Sequence, residues 1–522
     1  MAAIRNVLFV TFDQWRGDHI GAAGHPVLKT PVLDELIADA TWFSNHFSVT
    51  APCGPARTSL FTGTYLNKHR ALHNGTPLSD RFTTLALEAR KRNFDPGLFG
   101  YTDISPDPRG KDPADPIFDT YEGVLPGLTR LCRLDEDFGP WLADLRRKGY
   151  AVPEKPWDIF RPQKVAPGRP YCAAPARFRA EDSISAFLTD RVLEHLDGLG
   201  GKPFFLHVSY IVPHPPWIAP APYHDRYRPE DMPAPIRASE PEGEATHPWL
   251  ANRLAAFQAG KGHGMAAFVG DTVGAKDFQG EHQGQVRATY CGMINEVEDQ
   301  FARILAWLKQ HDAWDETLIV LTADHGEQLG DHWLYGKLGY FDQSYHVPLI
   351  IRDPRPEAAA GRGRRVQAFT ESVDVSPTVL ALLGLPVPRQ MDGVPLTAWL
   401  EGRTPERWRT AAHFEFDFGN PANPELENLF GLTSDQCRLS VLRGADSKYV
   451  HFSHLPPLFF DLAEDKAEIR DRADDPSCRD RLLRATQDML SWRMAAEDAT
   501  LTHITIDRGP RHAADRRFDG MI

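Results

Sequence analysis

Short apolar runs bounded by polar or Pro/Gly positions alternate with longer stretches of helical period over residues 1–402. The runs at 7–11, 204–210, 318–322 and 347–352 are continuously apolar rather than alternating, so they predict strands of a mostly parallel sheet covered on both faces. Helices are predicted at 31–40, with Pro31 at a plausible first turn, and at 180–199, 285–310 and 374–383. That order is an α/β fold, a mostly parallel sheet sandwiched by helices. Beyond residue 402 the pattern changes to short strands at 411–416, 438–442, 448–452 and 458–462, followed by a helix at 479–496. The predicted organisation is therefore a large α/β domain over 1–402, a smaller α+β domain with an antiparallel sheet over 403–498, and an arm over 499–522. The arm carries Arg508, Arg511, Arg516 and Arg517 and little apolar content, which makes a homo-oligomer an expectation. Two Pro/Gly-rich stretches, 105–175 and 213–280, are too long for ordinary connections and are expected to form rims or lids around a site.

Composition narrows the class. The 522 residues, 42% hydrophobic and 10% aromatic, suffice for a large core. Charge is −13, from 58 basic and 71 acidic residues, which argues against nucleic acid and against an anionic membrane surface as partners. The run at 7–11 ends in Phe12-Asp13-Gln14 rather than a small-residue cleavage site, and no run approaches the ~20 apolar residues of a membrane span. Six scattered cysteines imply no disulfide framework. The expected location is cytoplasmic.

Candidate chemistry centres on Cys53-Gly54-Pro55-Ala56-Arg57-Thr58-Ser59-Leu60-Phe61-Thr62-Gly63. A thiol at a loop-to-helix junction meets unpaired backbone N–H groups and the positive end of the helix dipole, where an anion is favoured. Asp13 ends the first predicted strand, and Asp324-His325 ends another. In an open parallel sheet the carboxyl ends of strands form the binding crevice, so these groups are expected to converge beside Cys53. Two carboxylates and an imidazole suit one divalent ion, Mn²⁺, Ca²⁺, Mg²⁺ or Zn²⁺. Taken singly, an Asp after a strand is as readily a helix cap.

The Cys-x-Pro-x-Arg stretch with its following Thr62-Gly63 resembles the maturation signal of the type I sulfatases, in which a separate enzyme oxidises the cysteine to formylglycine. With Asp13 after the first strand and the late Asp324-His325 pair, the chain resembles the alkaline phosphatase superfamily from Asn6 to the Asp461 segment. Two positions depart from the common arylsulfatase pattern: Gln14 stands in place of a second Asp, and His325 in place of an Asn. With 72–78, 99–102 and 212–217, these departures resemble the phosphonate monoester hydrolase branch, and choline sulfatases share some of them.

The resemblance implies a hydrolase of phosphonate monoesters and phosphodiesters, promiscuous towards sulfate esters. Its implied metal ligands are Asp13, residue 53, Asp324 and His325, with Mn²⁺ or Ca²⁺ placed ahead of Zn²⁺ or Mg²⁺. Cys53, Arg57, His214 and Lys337 are the implied catalytic residues, and Gln14, Asn74 and Tyr101 the implied substrate-binding ones. An aldehyde at position 53 would hydrate to a geminal diol; one oxygen would attack phosphorus or sulfur in line, and the second would allow collapse by carbon–oxygen cleavage. Lys337 and Asn74 would neutralise the transferring group, and His214 or Lys337 would protonate the departing alcohol. The segment 217–227 is expected to accept the substituent. Rival readings are a choline- or aryl-sulfatase, a silent binding protein of the same fold, and an enzyme that keeps Cys53 as a working thiolate.

Overall fold

The computed structural model describes residues 4–258, 281–506 and 510–512. Eight strands form one sheet in the order Thr129–Arg133, Gly97–Gly100, Phe205–Tyr210, Asn6–Phe12, Thr317–Ala323, Leu349–Arg352, Thr41–Phe43 and Arg365–Val366. All neighbours are parallel except where Leu349–Arg352 pairs antiparallel with Thr317–Ala323 and with Thr41–Phe43. The two central strands are buried over their whole length. Their side chains alternate between two cores: Leu8, Val10, Phe12, Ile319 and Leu321 enter one, while Val7, Phe9, Leu318 and Val320 enter the other. Apolar residues are needed at every position because both faces are covered.

Helices Ile184–Gly198 and Glu281–Gln310 supply the first core through Ile184, Leu188, Val192, Ile294, Val297 and Phe301. Helix Val375–Leu382 supplies the second through Val375, Val379 and Leu380. Four antiparallel strands, Ala411–Asp417, Arg438–Gly444, Ser447–Phe452 and Leu458–Asp461, make a separate sheet. One face of it, with Phe414, Val441, Val450 and Phe452, packs on Trp249, Tyr340 and Tyr345. The other, with Leu442, Tyr449 and Phe459, is closed by Ala485 and Met489 of helix Arg479–Ala495.

The stretch 105–175 does more than form a rim. It adds the edge strand Thr129–Arg133 and a knot of aromatic rings in which Phe138, Trp141, Trp157 and Phe160 meet edge to face and at a tilt. Of the stretch 213–280, residues 259–280 lie outside the described residues. Of the arm, a hairpin of Ile504–Ile506 with Pro510–His512 is described, while Arg508, Arg516 and Arg517 lie outside the described residues. Among the described residues, no helix is long and apolar enough to cross a membrane.

Candidate active site

Asp13 and Asp324 follow directly on the two central parallel strands, so pairing of Phe12 with Ala323 brings the carboxylates to one edge of the sheet. Cys53 opens helix Cys53–Thr62, every residue of which is buried. A wholly buried helix must hide its polar side chains, and Thr58 and Thr62 do so by donating to the carbonyls of Gly54 and Thr58 at 2.8 and 2.7 Å. Gly54 is required by space: a Cβ there would lie 2.7 Å from the carbonyl oxygen of Asp103 and 3.1 Å from Asn74 Oδ1.

Three side chains converge on the Cys53 sulfur. Lys337 Nζ is 2.9 Å from Sγ, His325 Nε2 3.3 Å and Asp13 Oδ1 3.9 Å. His325 Nε2 also lies 3.6 Å from Asp13 Oδ1 and 3.7 Å from Asp324 Oδ1. Asp13, Cys53, Asp324 and His325 thus present four ligand atoms all within 4.8 Å of one another. Mixed carboxylate, imidazole and sulfur donors at that spacing fit a divalent ion, and the His325 tautomer suits the role. Its Nδ1–H donates to the Gly326 carbonyl at 3.0 Å, leaving the Nε2 lone pair to face the cluster.

Arg57 braces the carboxylates from behind. Its Nε donates to Asp324 Oδ2 at 2.9 Å, Nη2 to Asp13 Oδ2 at 3.3 Å, and Nη1 to the Ser209 hydroxyl at 2.6 Å and the Tyr101 carbonyl at 3.1 Å. Tyr101 donates its hydroxyl to Asp13 Oδ2 and lies under the guanidinium, whose carbon is 4.3 Å from the ring centre. Asn74 Oδ1 accepts from Gly54 N at 2.9 Å, next to the nucleophile position. Gln14 Oε1 accepts from Lys337 Nζ at 3.1 Å. His214 donates Nδ1–H to the Pro215 carbonyl at 2.6 Å, and its ring is close enough to act on the Asp13 charge.

Burial alone would raise the Asp13 carboxyl, but Lys337, His214, His325 and Arg57 more than reverse it and hold the group well below the usual carboxylate range. Burial, reinforced by Asp13, pushes the Cys53 thiol far above its ordinary value despite Lys337. Burial also opposes the Lys337 ammonium, yet the neighbouring carboxylates Asp13 and Asp324 help to outweigh it and raise its pKa. His214 is pushed down to about 3 by burial and then by Lys337.

Sequence reasoning missed three groups. Ser209, the last residue but one of the strand beside Asn6–Phe12, fixes Arg57; its signal was only its place near the end of a predicted strand. Asp103, buried behind Gly54, has its carboxyl pushed up to about 7 by burial against the pull of Arg57. Glu327, two residues past His325, joins Gln14 to the loop that carries Lys337. The segment 217–227 is split in role. Trp217 is fully buried, and Tyr223 and Tyr227 donate to Asp299 and Asn295 of helix Glu281–Gln310 at 2.6 and 2.7 Å. Ile218 and Pro220 line, with Trp157, Phe160, Phe178, Pro216 and the polar Ser183 and Glu296, a small hollow that reaches His214.

A second cluster, His19, His25 and Cys291, has metal-ligand spacing. His25 Nδ1, however, accepts from Leu28 N at 2.9 Å, so in the neutral ring the proton sits on Nε2 and that nitrogen is no ligand.

Comparison with known proteins agrees with this arrangement. Residues 5–385 match the Sulfatase family, and residues 330–494 match the family described as N-sulphoglucosamine sulphohydrolase, C-terminal. The chain is 41% identical over 507 residues to the multifunctional alkaline phosphatase superfamily protein PehA of Trinickia caryophylli, covering 96% of this chain and 97% of that one. The crystal structure of a phosphonate monoester hydrolase of Agrobacterium radiobacter superposes with a TM-score of 0.92 at 44% identity, covering 98% of this chain and 100% of that one. A phosphonate monoester hydrolase from Silicibacter pomeroyi gives a TM-score of 0.91 at 38% identity, with the same coverage.

Proposed function

The chain belongs to the sulfatase family within the alkaline phosphatase superfamily, and we propose that it hydrolyses phosphonate monoesters and phosphodiesters, with lesser turnover of sulfate esters. The observation that carries this reading is the convergence of Lys337, His325 and Asp13 on the residue-53 side chain at the head of a buried helix. Full-length similarity to phosphonate monoester hydrolases supports the choice of ester.

Asp13, Asp324, His325 and residue 53 would hold one divalent ion, Mn²⁺ or Ca²⁺ before Zn²⁺ or Mg²⁺. Such an ion supplies Lewis acidity towards the transferring group, and formylglycine at 53, made from Cys53 by a maturation enzyme, supplies a carbon able to carry two oxygens. The Cys53-Gly54-Pro55-Ala56-Arg57 stretch at the head of the buried helix supports that conversion. Arg57 pairs with both aspartates and holds them in register. Tyr101 orients Asp13 through its hydroxyl. Lys337 neutralises a non-bridging oxygen and is the charged donor nearest the reacting position; Asn74 aligns the helix start through Gly54 N. With its Nδ1–H given to the Pro215 carbonyl and its pKa pushed down to about 3, His214 is a neutral ring without a proton on Nε2, so of the two candidate acids Lys337 is the one that can protonate the leaving oxygen.

Aryl phosphonate, phosphodiester, sulfate and phosphate monoester substrates with one leaving group test the reading. The phosphonate and diester are expected to give the highest kcat/KM. A sulfate preference would make the enzyme a sulfatase proper, of choline or aryl type, and a phosphate monoester preference would sink the assignment. Mass spectrometry of the peptide that contains residue 53 tests the nucleophile: full activity with an intact thiol would exclude formylglycine, and a Cys53→Ala variant with unchanged turnover would exclude residue 53 altogether.

A further inference from the structure

Glu327 closes a ring of hydrogen bonds around Lys337, and we propose that it is a positioning residue for that ammonium. Its Oε1 accepts from Gly336 N at 2.6 Å and from Leu329 N at 3.0 Å, which fixes the backbone one residue before Lys337. Its Oε2 accepts from Gln14 Nε2, and Gln14 Oε1 in turn accepts from Lys337 Nζ at 3.1 Å. One carboxylate therefore governs both the root and the tip of the lysine.

The order of atoms in this ring is dictated by chemistry. An ammonium only donates, so the Gln14 amide must turn its oxygen to Lys337, which leaves its nitrogen to donate to Glu327 Oε2. Gln14 has little freedom to do otherwise. Its carbonyl accepts from the Tyr290 hydroxyl at 2.6 Å, and its N–H donates to Asp324 Oδ1 at 3.1 Å. Glu327 itself is fully buried, and it hydrogen-bonds to Gln14, Leu329 and Gly336 rather than to the residue-53 side chain. It acts on the reacting centre through Lys337. A free lysine has a long flexible stem whose ordering costs entropy, and a transition state gains most from a charge that is already in place.

This inference rests on the reading of Lys337 as a group that touches the transferring oxygens. The test is a double-mutant cycle. Glu327→Gln keeps an oxygen for Leu329 and Gly336 but presents N–H to Gln14, which forces the Gln14 amide to turn its own N–H towards the ammonium. We expect kcat/KM to fall roughly tenfold or more in the otherwise native enzyme, and by less than about twofold in a Lys337→Ala background. Gln14→Ala, which removes the relay without touching the Glu327 turn, is expected to show the same dependence on Lys337. Equal losses with and without Lys337 would mean that Glu327 serves only the fold, and would overturn the proposal while leaving the function intact. If Lys337→Ala alone leaves kcat/KM unchanged, the catalytic reading of Lys337 fails first and the proposal with it.

Discussion

Arg57 Nε lies 2.9 Å from Asp324 Oδ2, and neither side chain reaches solvent. The guanidinium also reaches Asp13, so a single cation compensates the two carboxylates that end the central strands. Removing one member of a buried ion pair leaves an uncompensated charge, a loss of about 3–5 kcal/mol. Arg57→Met is therefore expected to lower stability by that order in urea unfolding, and to reduce activity with it. A variant as stable as the native protein would show that the carboxylates are neutral in the fold.

Ligand atoms gathered from three separate chain segments should make a divalent ion a stabiliser of the folded state as well as a cofactor. An ion at a hundred times its Kd adds about 2.7 kcal/mol if it binds only the folded chain. Chelation is thus expected to lower the melting temperature and abolish turnover, with both restored on adding the metal back. Asp324→Asn should blunt the metal-dependent rise in melting temperature; an unchanged rise would place the ion elsewhere.

Gly100 ends its strand just before Tyr101, with φ at 102°, and a Cβ there would lie 2.1 Å from the Ser209 carbonyl. Both the left-handed backbone and the contact exclude a side chain. Gly100→Ala is expected to cost about 3 kcal/mol or more. Because Tyr101 and Ser209 both hold Arg57, kcat should fall in the fraction that remains folded. Native-like melting and turnover would refute this account of the close approach.

Much of the sheet was legible because its central strands are buried on both faces, so each position of Asn6–Phe12 had to be apolar or tightly hydrogen-bonded. Thr129–Arg133 escaped notice because an edge strand pairs on one side, and its sequence Thr-Arg-Leu-Cys-Arg is half exposed. Thr41–Phe43 was too short to carry a period. Asp13, Cys53, Asp324 and His325 were legible from strand ends and one motif, since chemistry of that kind collects where parallel strands terminate. The part of Glu327 was not, because it depends on a turn that brings Gly336 back beside Gln14. The aromatic segment 217–227 was legible only in part, since Ile218 and Pro220 line the hollow beside His214 while its aromatic residues pack inward. Proline and aromatic residues mark rims and cores alike, and only the packing of Tyr223 and Tyr227 on a distant helix distinguishes them.

Two buried histidines set the acid limit of the fold. His69 Nε2 pairs with the Ser59 hydroxyl at 2.9 Å while its Nδ1 accepts from Ala71 N at 3.1 Å, and His46 Nδ1 pairs with the Thr370 hydroxyl at 3.0 Å. Burial pushes both rings down to about 3; His346 adds to the effect at His46, and Arg70 at His69. In the unfolded chain each would titrate near the ordinary imidazole value of 6.5. Between those values the unfolded state binds more protons than the folded one, so stability is fully present above pH 6.5 and is lost as pH falls towards 3. Each ring contributes up to about 1.4 kcal/mol per pH unit across the window. His69→Gln, which can still donate to Ser59, is expected to flatten the stability curve between pH 6.5 and 3 while lowering stability at neutral pH. Urea unfolding at stepped pH measures the slope directly, and a slope unchanged by the substitution would show that His69 is protonated in the folded protein.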